Sequence, residues 1–310
     1  MQTYENFIRI LKENIHIETG IPLSDMQYAM KGEISAPNGD RLLITIRKTA
    51  HTIQTCGVHI RELFESYQDG ISTERIINQI TAQIAQMNEL HVDDLPVIIS
   101  DYEKVKSRLF VRAVSIDQHG SELKDIVYRQ IGDIALVLSY MISNPTDSEI
   151  ASTKIQQRFF DSWKKSKDEV FATAFANIYA TTPPRLYTWE MLLSNPSMPG
   201  KDFMNSDEPD LFSKAVTGNC ISTTTRTNGA IAVFLPGVVK RISECLDDDF
   251  YIAFTSIHEA MVHATKTVTV EALQDVLTET INDTVDNDEF LSYRIFHYSR
   301  DTQKFTCITK

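Results

Sequence analysis

The 310-residue sequence has little of what marks several common protein classes. Its four cysteines, Cys56, Cys220, Cys245 and Cys307, lie far apart and include no C-x-x-C pair, whereas disulfide-rich domains and zinc sites need dense or paired cysteines. Eleven glycines and ten prolines exclude a collagen-like or low-complexity chain. We therefore expect free thiols, no structural metal and no cofactor held by cysteine.

Long apolar runs are also missing. The most apolar stretch covers nine residues, 134–142, whereas a membrane-spanning helix needs about 20. The first twenty residues lack a basic segment followed by an apolar one, and their Phe7, Ile8, Leu11 and Ile15 are spaced for one face of a helix. The sequence therefore predicts a cytoplasmic protein without a membrane segment.

Basic charge is scarce in both halves of the chain. The formal net charge is −12, with 14 basic against 21 acidic residues in 1–150 and 16 against 21 in 151–310. Nucleic-acid binding draws on clustered lysine and arginine. Neither G-x-G-x-x-G nor G-x-x-x-x-G-K-[ST] occurs, so the common phosphate-binding loops are excluded. We expect neither a nucleic-acid partner nor a nucleotide cofactor.

The apolar pattern of the first part of the chain alternates between strand and helix periods. It predicts a hairpin over 26–34 and 42–46 with a turn at 37–40, a third strand over 52–60, and a short helix that ends at Gly70. Ser72 is placed to cap a longer helix whose apolar stripe ends at Met87. Further on, 131–142 is typical of a strand, and 157–180 of two helices.

The last third gives the clearest pattern. Asn228 and Gly229 predict a hairpin turn between strands 220–227 and 230–235. A helix from Val238 to Leu246, strands 250–255 and 258–264, a helix over 270–284, and strands 291–298 and 304–308 follow. Hairpins beside helices predict an α+β fold with mixed or antiparallel sheets, in the order ββαββαββ for this third.

Domain boundaries are predicted from proline content. Prolines and acidic residues punctuate 181–217, which is typical of a connection, although long loops are often functional as well. The sequence therefore predicts an N-terminal α+β region over 1–180, a proline-rich connection over 181–217, and a C-terminal region over 218–310.

Polar residues at two predicted turns of the last third form the candidate functional face. These residues are Arg226, Asn228, Ser256, His258 and Glu259. The sequence HEAMVH at 258–263 is not a zinc-protease motif, since its histidines are five residues apart and the motif needs four. A serine, a histidine and a glutamate at 256–259 leave two interpretations open: a structural polar turn, or the site of a hydrolase.

Several short motifs resemble an uncharacterised bacterial family, a domain of unknown function found mainly in Gram-positive gut anaerobes. In the family's order they are YQDG (67–70), DYEKVK (101–106), DIALV (133–137), TP (182–183), RL (185–186), TNGA (227–230), LPGV (235–238) and SIHE (256–259). The resemblance covers roughly residues 60–300 and departs at 187–217 and 260–263. It implies an intracellular bacterial protein and supplies no activity or catalytic residue.

Together these observations favour a binding module over an enzyme. We expect an acidic α+β protein that binds a protein partner or a small ligand. A hydrolase built around the turn at 256–259 is the alternative.

We predict negligible affinity for DNA or RNA at physiological salt, because both halves of the chain are net negative and offer few phosphate contacts. Fluorescence anisotropy with labelled single-stranded and duplex oligonucleotides measures this directly. Sub-micromolar binding that weakens steeply with salt would contradict the prediction by revealing a concentrated basic patch.

Overall fold

The computed structural model describes residues 3–31, 40–48, 53–89, 94–142, 151–188, 191, 198–208 and 210–309. The chain divides into two units, a first unit over Met1–Asp101 and a second unit over Tyr102–Lys310. No described helix has the length and apolar content needed to cross a membrane.

The first unit consists of one antiparallel sheet and its helices. The strands follow one another in the order β1-β2-β3. The elements are α1 (Tyr4–Thr19), β1 (Met26–Ala29), β2 (Arg41–Lys48), β3 (Ile53–His59), α2 (Ile60–Gln68), α3 (Thr73–Glu89) and α4 (Leu95–Ile99).

Local sequence signals explain where α1 begins and ends. The Thr3 hydroxyl accepts a hydrogen bond from the Asn6 N–H at 3.3 Å and caps the first turn. The helix ends at Gly20, whose φ of 73° is costly for any residue with a Cβ. Its apolar stripe packs with alternate residues of β2 and β3 into one core, so the sheet buries a single face.

The predicted first hairpin is confirmed, because Met26 pairs with Ile44 and Ala29 with Arg41 in antiparallel register. The predicted third strand and the two helices after it are also present. The Ser72 hydroxyl accepts from the Arg75 N–H and caps α3 as expected. The predicted turn residues 37–39 lie outside the described part of the chain.

The second unit contains two further antiparallel sheets. Its strands are β4 (Leu109–Ser115), β5 (Tyr128–Ile131), β6 (Ile134–Met141), β7 (Ser152–Lys154), β8 (Pro184–Tyr187), β9 (Asn219–Thr223), β10 (Phe250–Ser256), β11 (Glu259–Ala264), β12 (Ile295–Ser299) and β13 (Lys304–Cys307). Its α-helices are α5 (Tyr102–Val105), α6 (Ile116–His119), α7 (Gln157–Ser162), α8 (Lys167–Thr181), α9 (Val238–Leu246) and α10 (Val270–Thr284).

One sheet has the order β4-β6-β5, with β7 also pairing with β6, and the other has the order β13-β12-β10-β11-β9-β8. Strand β6 is buried along nearly its whole length, which explains its continuous apolar sequence. Helix α8 packs on β4, the outer strand of the four-stranded sheet. The predicted α+β class with antiparallel sheets is confirmed.

Two sequence predictions in this unit are wrong in detail. The predicted strand 131–142 is interrupted, because Gly132 at φ 61° and Asp133 turn the chain between β5 and β6. The predicted strand 230–235 is instead a 3-10 helix, Gly229–Phe234. The predicted order ββαββαββ therefore loses its second strand, and β9 pairs with β8 and β11.

The predicted division into 1–180, 181–217 and 218–310 stays a prediction. In the structure, the boundary between the two units lies between residues 101 and 102 of the sequence. Part of the predicted connection belongs to a sheet, since β8 pairs with β9 along its length.

A carboxylate with four partners stands out in the first unit. Asp40 accepts hydrogen bonds from the Tyr4 and Tyr28 hydroxyls at 2.8 Å each and from the Lys31 N–H at 2.9 Å. The Arg61 guanidinium lies 3.4 Å away. Burial opposes ionisation of Asp40, but these donors outweigh it and lower its pKa below the usual value.

We predict that Asp40→Asn destabilises the protein by about 1–3 kcal/mol at pH 7, since hydrogen bonds to a charged acceptor are lost. A lowered pKa means that the contribution of Asp40 is present above the unfolded pKa and is lost as the pH falls through the folded one. The difference between the two proteins should therefore shrink below about pH 4. Denaturant unfolding from pH 3 to 8 measures it.

The exposed Asp69, at the C-terminal end of α2, provides the control for removing a carboxylate from the same unit. Asp69→Asn should leave the free energy of unfolding nearly unchanged. An Asp40→Asn loss no larger than the Asp69→Asn loss would show that the Asp40 cluster contributes nothing.

Candidate functional site

The turn between β10 and β11 carries three of the predicted site residues. Ser256 is buried, and its hydroxyl accepts a hydrogen bond from the His258 main-chain N–H at 3.0 Å. The pairing of β10 with β11 shifts register between Ala253 and Ser256, which is how a bulge redirects side chains at the end of a strand. Ser256 thus shapes the turn with its own hydroxyl.

Both ring nitrogens of His258 are engaged. The Nδ1 atom lies 3.1 Å from the Asn228 main-chain nitrogen, and Nε2 lies 3.0 Å from Glu289 Oε1. Because a peptide N–H can only donate, Nδ1 accepts; the neutral ring therefore carries its proton on Nε2 and donates it to Glu289. No hydrogen bond joins the ring to Ser256 among the described residues, so the nucleophile–base contact of a serine hydrolase is not formed here.

The segment around Gly229 packs closely against Ser222 and the main chain of His258. A Cβ on Gly229 would lie 2.0 Å from Ser222 Oγ and 2.5 Å from His258 O. Ser222 donates to the same His258 carbonyl at 2.7 Å, and Ala230 N–H donates to Ile257 O at 3.1 Å. Only glycine fits at position 229, and this contact replaces the predicted hairpin pairing.

The side chains of the two remaining predicted residues, Glu259 and Arg226, lie near Cys220 and Tyr187 rather than near His258. Glu259 accepts from the Cys220 thiol at 3.6 Å and from the Thr255 hydroxyl at 3.3 Å. Burial raises the pKa of Cys220 well above its usual value, and the Glu259 carboxylate raises it further. This thiol is therefore protonated and unreactive. The Arg226 guanidinium lies over the Tyr187 ring, 5.4 Å from its centre.

The predicted face is therefore brought together in part. Asn228, Ser256 and His258 meet at one turn, whereas Glu259 and Arg226 lie near Cys220 and Tyr187. Glu289, the partner of His258, was not singled out from the sequence, because a carboxylate 31 positions away in an acidic stretch carries no local signal.

A cavity of about 320 Å³ opens beside Asn228. Its walls are the chain from Ser107 to Arg112 at the start of β4, the end of α8, Met141 of β6, and the segment from Thr223 to Ile231. All of them belong to the second unit. Asn228 joins the two features, since it lines the cavity and donates its N–H to His258.

Two threonines and one asparagine at the end of α8 use their polar groups within the fold. The hydroxyls of Thr181 and Thr182 donate back to the carbonyls of Asn177 and Ile178 within α8. The Asn177 amide donates to Leu109 O at 2.8 Å and to Lys106 O at 2.7 Å. The cavity is therefore mainly apolar in spite of its polar sequence.

One charged side chain in this wall, Arg112, has no hydrogen-bond or ion-pair partner among the described residues, and its Nε is buried. Burial lowers the pKa of Arg112, although a guanidinium stays charged in proteins. Arg108, the second arginine of the wall, donates to Ile142 O at 3.2 Å and lies 5.9 Å above the Tyr140 ring. A charged residue within the apolar stretch 109–116 was the sequence signal that could have identified Arg112.

No group of three or more histidine, cysteine or acidic side chains is arranged to hold a metal ion in the described ranges. The cavity wall contains no carboxylate or thiol, and its guanidinium and amide groups suit an organic ligand better than a cation.

The chain belongs to a family of unknown function, DUF5688, whose sequence pattern matches residues 4–300. No curated protein and no solved structure matches the chain. The resemblance found in the short motifs is thus confirmed as a family membership, and it brings no activity with it.

We predict that His258 and Glu259 have structural roles. His258→Gln keeps an acceptor near the Asn228 N–H and should cost little stability, whereas His258→Ala leaves that N–H unpaired and should cost about 1–3 kcal/mol. Glu259→Gln keeps one acceptor oxygen and places an amide NH2 at the other position, where it can donate to the Thr255 hydroxyl oxygen, so it should be nearly neutral. Thermal and denaturant unfolding of the three variants measures these costs.

A functional site would behave in the opposite way. Loss of binding or turnover in His258→Gln and Glu259→Gln, with unchanged melting temperatures, would contradict the structural interpretation and make this turn the first place to look for chemistry.

Proposed function

We propose that this protein is a small-ligand-binding module and that its ligand occupies the cavity between β4, α8 and the segment 223–231. The observation that carries the proposal is the cavity itself, which has a volume of about 320 Å³ and mainly apolar walls. Ligand sites in proteins typically have volumes of about 300–1,000 Å³, apolar walls and a few polar groups. The arginines and main-chain groups of this wall are such polar groups.

The contacts around the cavity favour binding over catalysis. His258, which contacts the cavity residue Asn228, uses both ring nitrogens within the fold, and Ser256 turns its hydroxyl toward the main chain. Catalysis by a serine needs a base within hydrogen-bond reach of the nucleophile. The hydrolase alternative therefore receives no support from these side chains.

We also propose a cytoplasmic location. Its support is chemical: all four cysteines are free, and disulfides are the usual state of cysteines in oxidising compartments.

We predict that small neutral apolar probes, 1-hexanol and indole, bind the full chain saturably and that Thr227→Trp weakens this binding. Thr227 is exposed and lines the cavity, so a tryptophan there should block the opening without entering the core. Saturation-transfer NMR with each probe measures the binding.

Thr224→Trp is the matched control, because Thr224 is exposed on the same segment and does not line the cavity. It should bind the probes like the unaltered protein. Absence of saturable binding, or equal binding by the two tryptophan variants, would overturn the proposal.

A further inference from the structure

The distribution of charge around the cavity is one-sided. Its wall includes Arg108 and Arg112 and no acidic residue, although the whole chain has a net charge of −12. An acidic protein has many carboxylates, and none of the described ones lines this cavity.

The two arginines differ in what they already contact. Arg108 donates to Ile142 O and lies over Tyr140. The Arg112 guanidinium carbon lies over the Phe110 ring, 5.4 Å from the ring centre, and has no hydrogen-bond or ion-pair partner among the described residues. Arg112 is half-buried, and its Nε atom is fully buried without a hydrogen-bond partner. Taking a cation partly out of water without a counter-charge is costly, and folded proteins keep such groups where a ligand or a reaction uses them.

Main-chain geometry supports an anion at the same place. Leu109 O accepts from Asn177 at the edge of β4, so the peptide groups of Leu109 point away from β6. In an antiparallel strand the direction alternates residue by residue, so Val111 directs its N–H to the same open edge. Val111 lines the cavity next to Arg112 and can add a second kind of donor.

We propose that the ligand is a small amphipathic carboxylate, whose carboxylate pairs with the Arg112 guanidinium and whose apolar body fills the cavity. This inference rests on the proposed function and specifies its ligand class. The planar guanidinium matches a carboxylate in two parallel hydrogen bonds. The volume of about 320 Å³ corresponds to about ten water molecules and fits a short acyl chain or a single aromatic ring.

Matched probes that differ only in charge test the proposal. Hexanoate, hexanamide and hexylamine form an acyl series, and phenylacetate with phenylacetamide forms an aryl pair. Isothermal titration of the full chain at pH 7 should show that each carboxylate binds about tenfold or more tightly than its amide, as a charge-assisted hydrogen bond implies. Hexylamine should bind least, because its charge repels both arginines.

Arg112→Gln removes the charge and keeps a polar side chain of similar length. It should lower the affinity for hexanoate about tenfold or more and leave the affinity for hexanamide unchanged. Arg112→Met serves as the second variant should the glutamine be tolerated poorly in the fold. Arg158→Gln, which removes an exposed arginine of α7, is the matched control and should bind all probes like the unaltered protein.

The ligand-free variants give a second readout. A guanidinium that serves binding lowers the stability of the ligand-free protein, because its charge has no counter-charge there. Arg112→Met should therefore melt at the same or a higher temperature than the unaltered protein. A clearly lower melting temperature together with undiminished hexanoate binding would assign Arg112 a structural role and overturn the inference.

The outcomes separate this inference from the function on which it rests. If amides bind as tightly as carboxylates, the proposed function as a ligand-binding module still stands, and the inference that the ligand is a carboxylate is wrong. If no probe binds, the proposed function is wrong as well.

Discussion

The hydrogen bond from the Asn228 N–H to His258 Nδ1 is the contact on which the arrangement of the cavity depends. It holds the segment 223–231 against the turn between β10 and β11, and Gly229 permits the approach because no side chain fits there. The same segment forms one wall of the cavity. His258, which looks catalytic in the sequence, therefore has a structural role: it holds the segment 223–231 in place. Glu289 orients its ring through the other ring nitrogen. Loss of His258 would first alter the wall of the cavity.

Preorganisation follows from how this wall is built. The hydroxyls of Thr181 and Thr182 and the Asn177 amide are satisfied by main-chain carbonyls, so a ligand need not compete for these groups. Binding to a preformed site avoids the ordering cost that flexible sites incur. The Arg112 guanidinium has no hydrogen-bond or ion-pair partner among the described residues, and under the proposed function such a group specifies what the ligand must bring.

Sequence reasoning succeeded where a periodic pattern coincided with a cap. Helix α10 spans the predicted 270–284 because Thr269 caps it, and α1 is bounded by Thr3 and Gly20. It failed where a distant contact overrides a local signal: Asn228 and Gly229 favour a hairpin, but Gly229 packs against Ser222 and His258, and the next residues are buried on all sides as a 3-10 helix. The proximity of Asn228, Ser256 and His258 could be expected from their two turns. The contact of Glu289 with His258 and the place of Arg112 in the cavity wall could not be predicted, since only the fold brings these segments together.

The overall acidity of the chain constrains how an anionic ligand would be recognised. A net charge of −12 produces a field that repels anions at long range and offers no steering toward the cavity. Recognition must therefore act over the short distances inside the wall, where solvent and salt screen little. An exposed arginine would serve poorly under these conditions, because its attraction would be diluted by water and opposed by the surrounding carboxylates. Under the proposed function, the half-buried position of Arg112 at the edge of β4 is what would let a single positive charge discriminate between a carboxylate and an amide on an acidic protein.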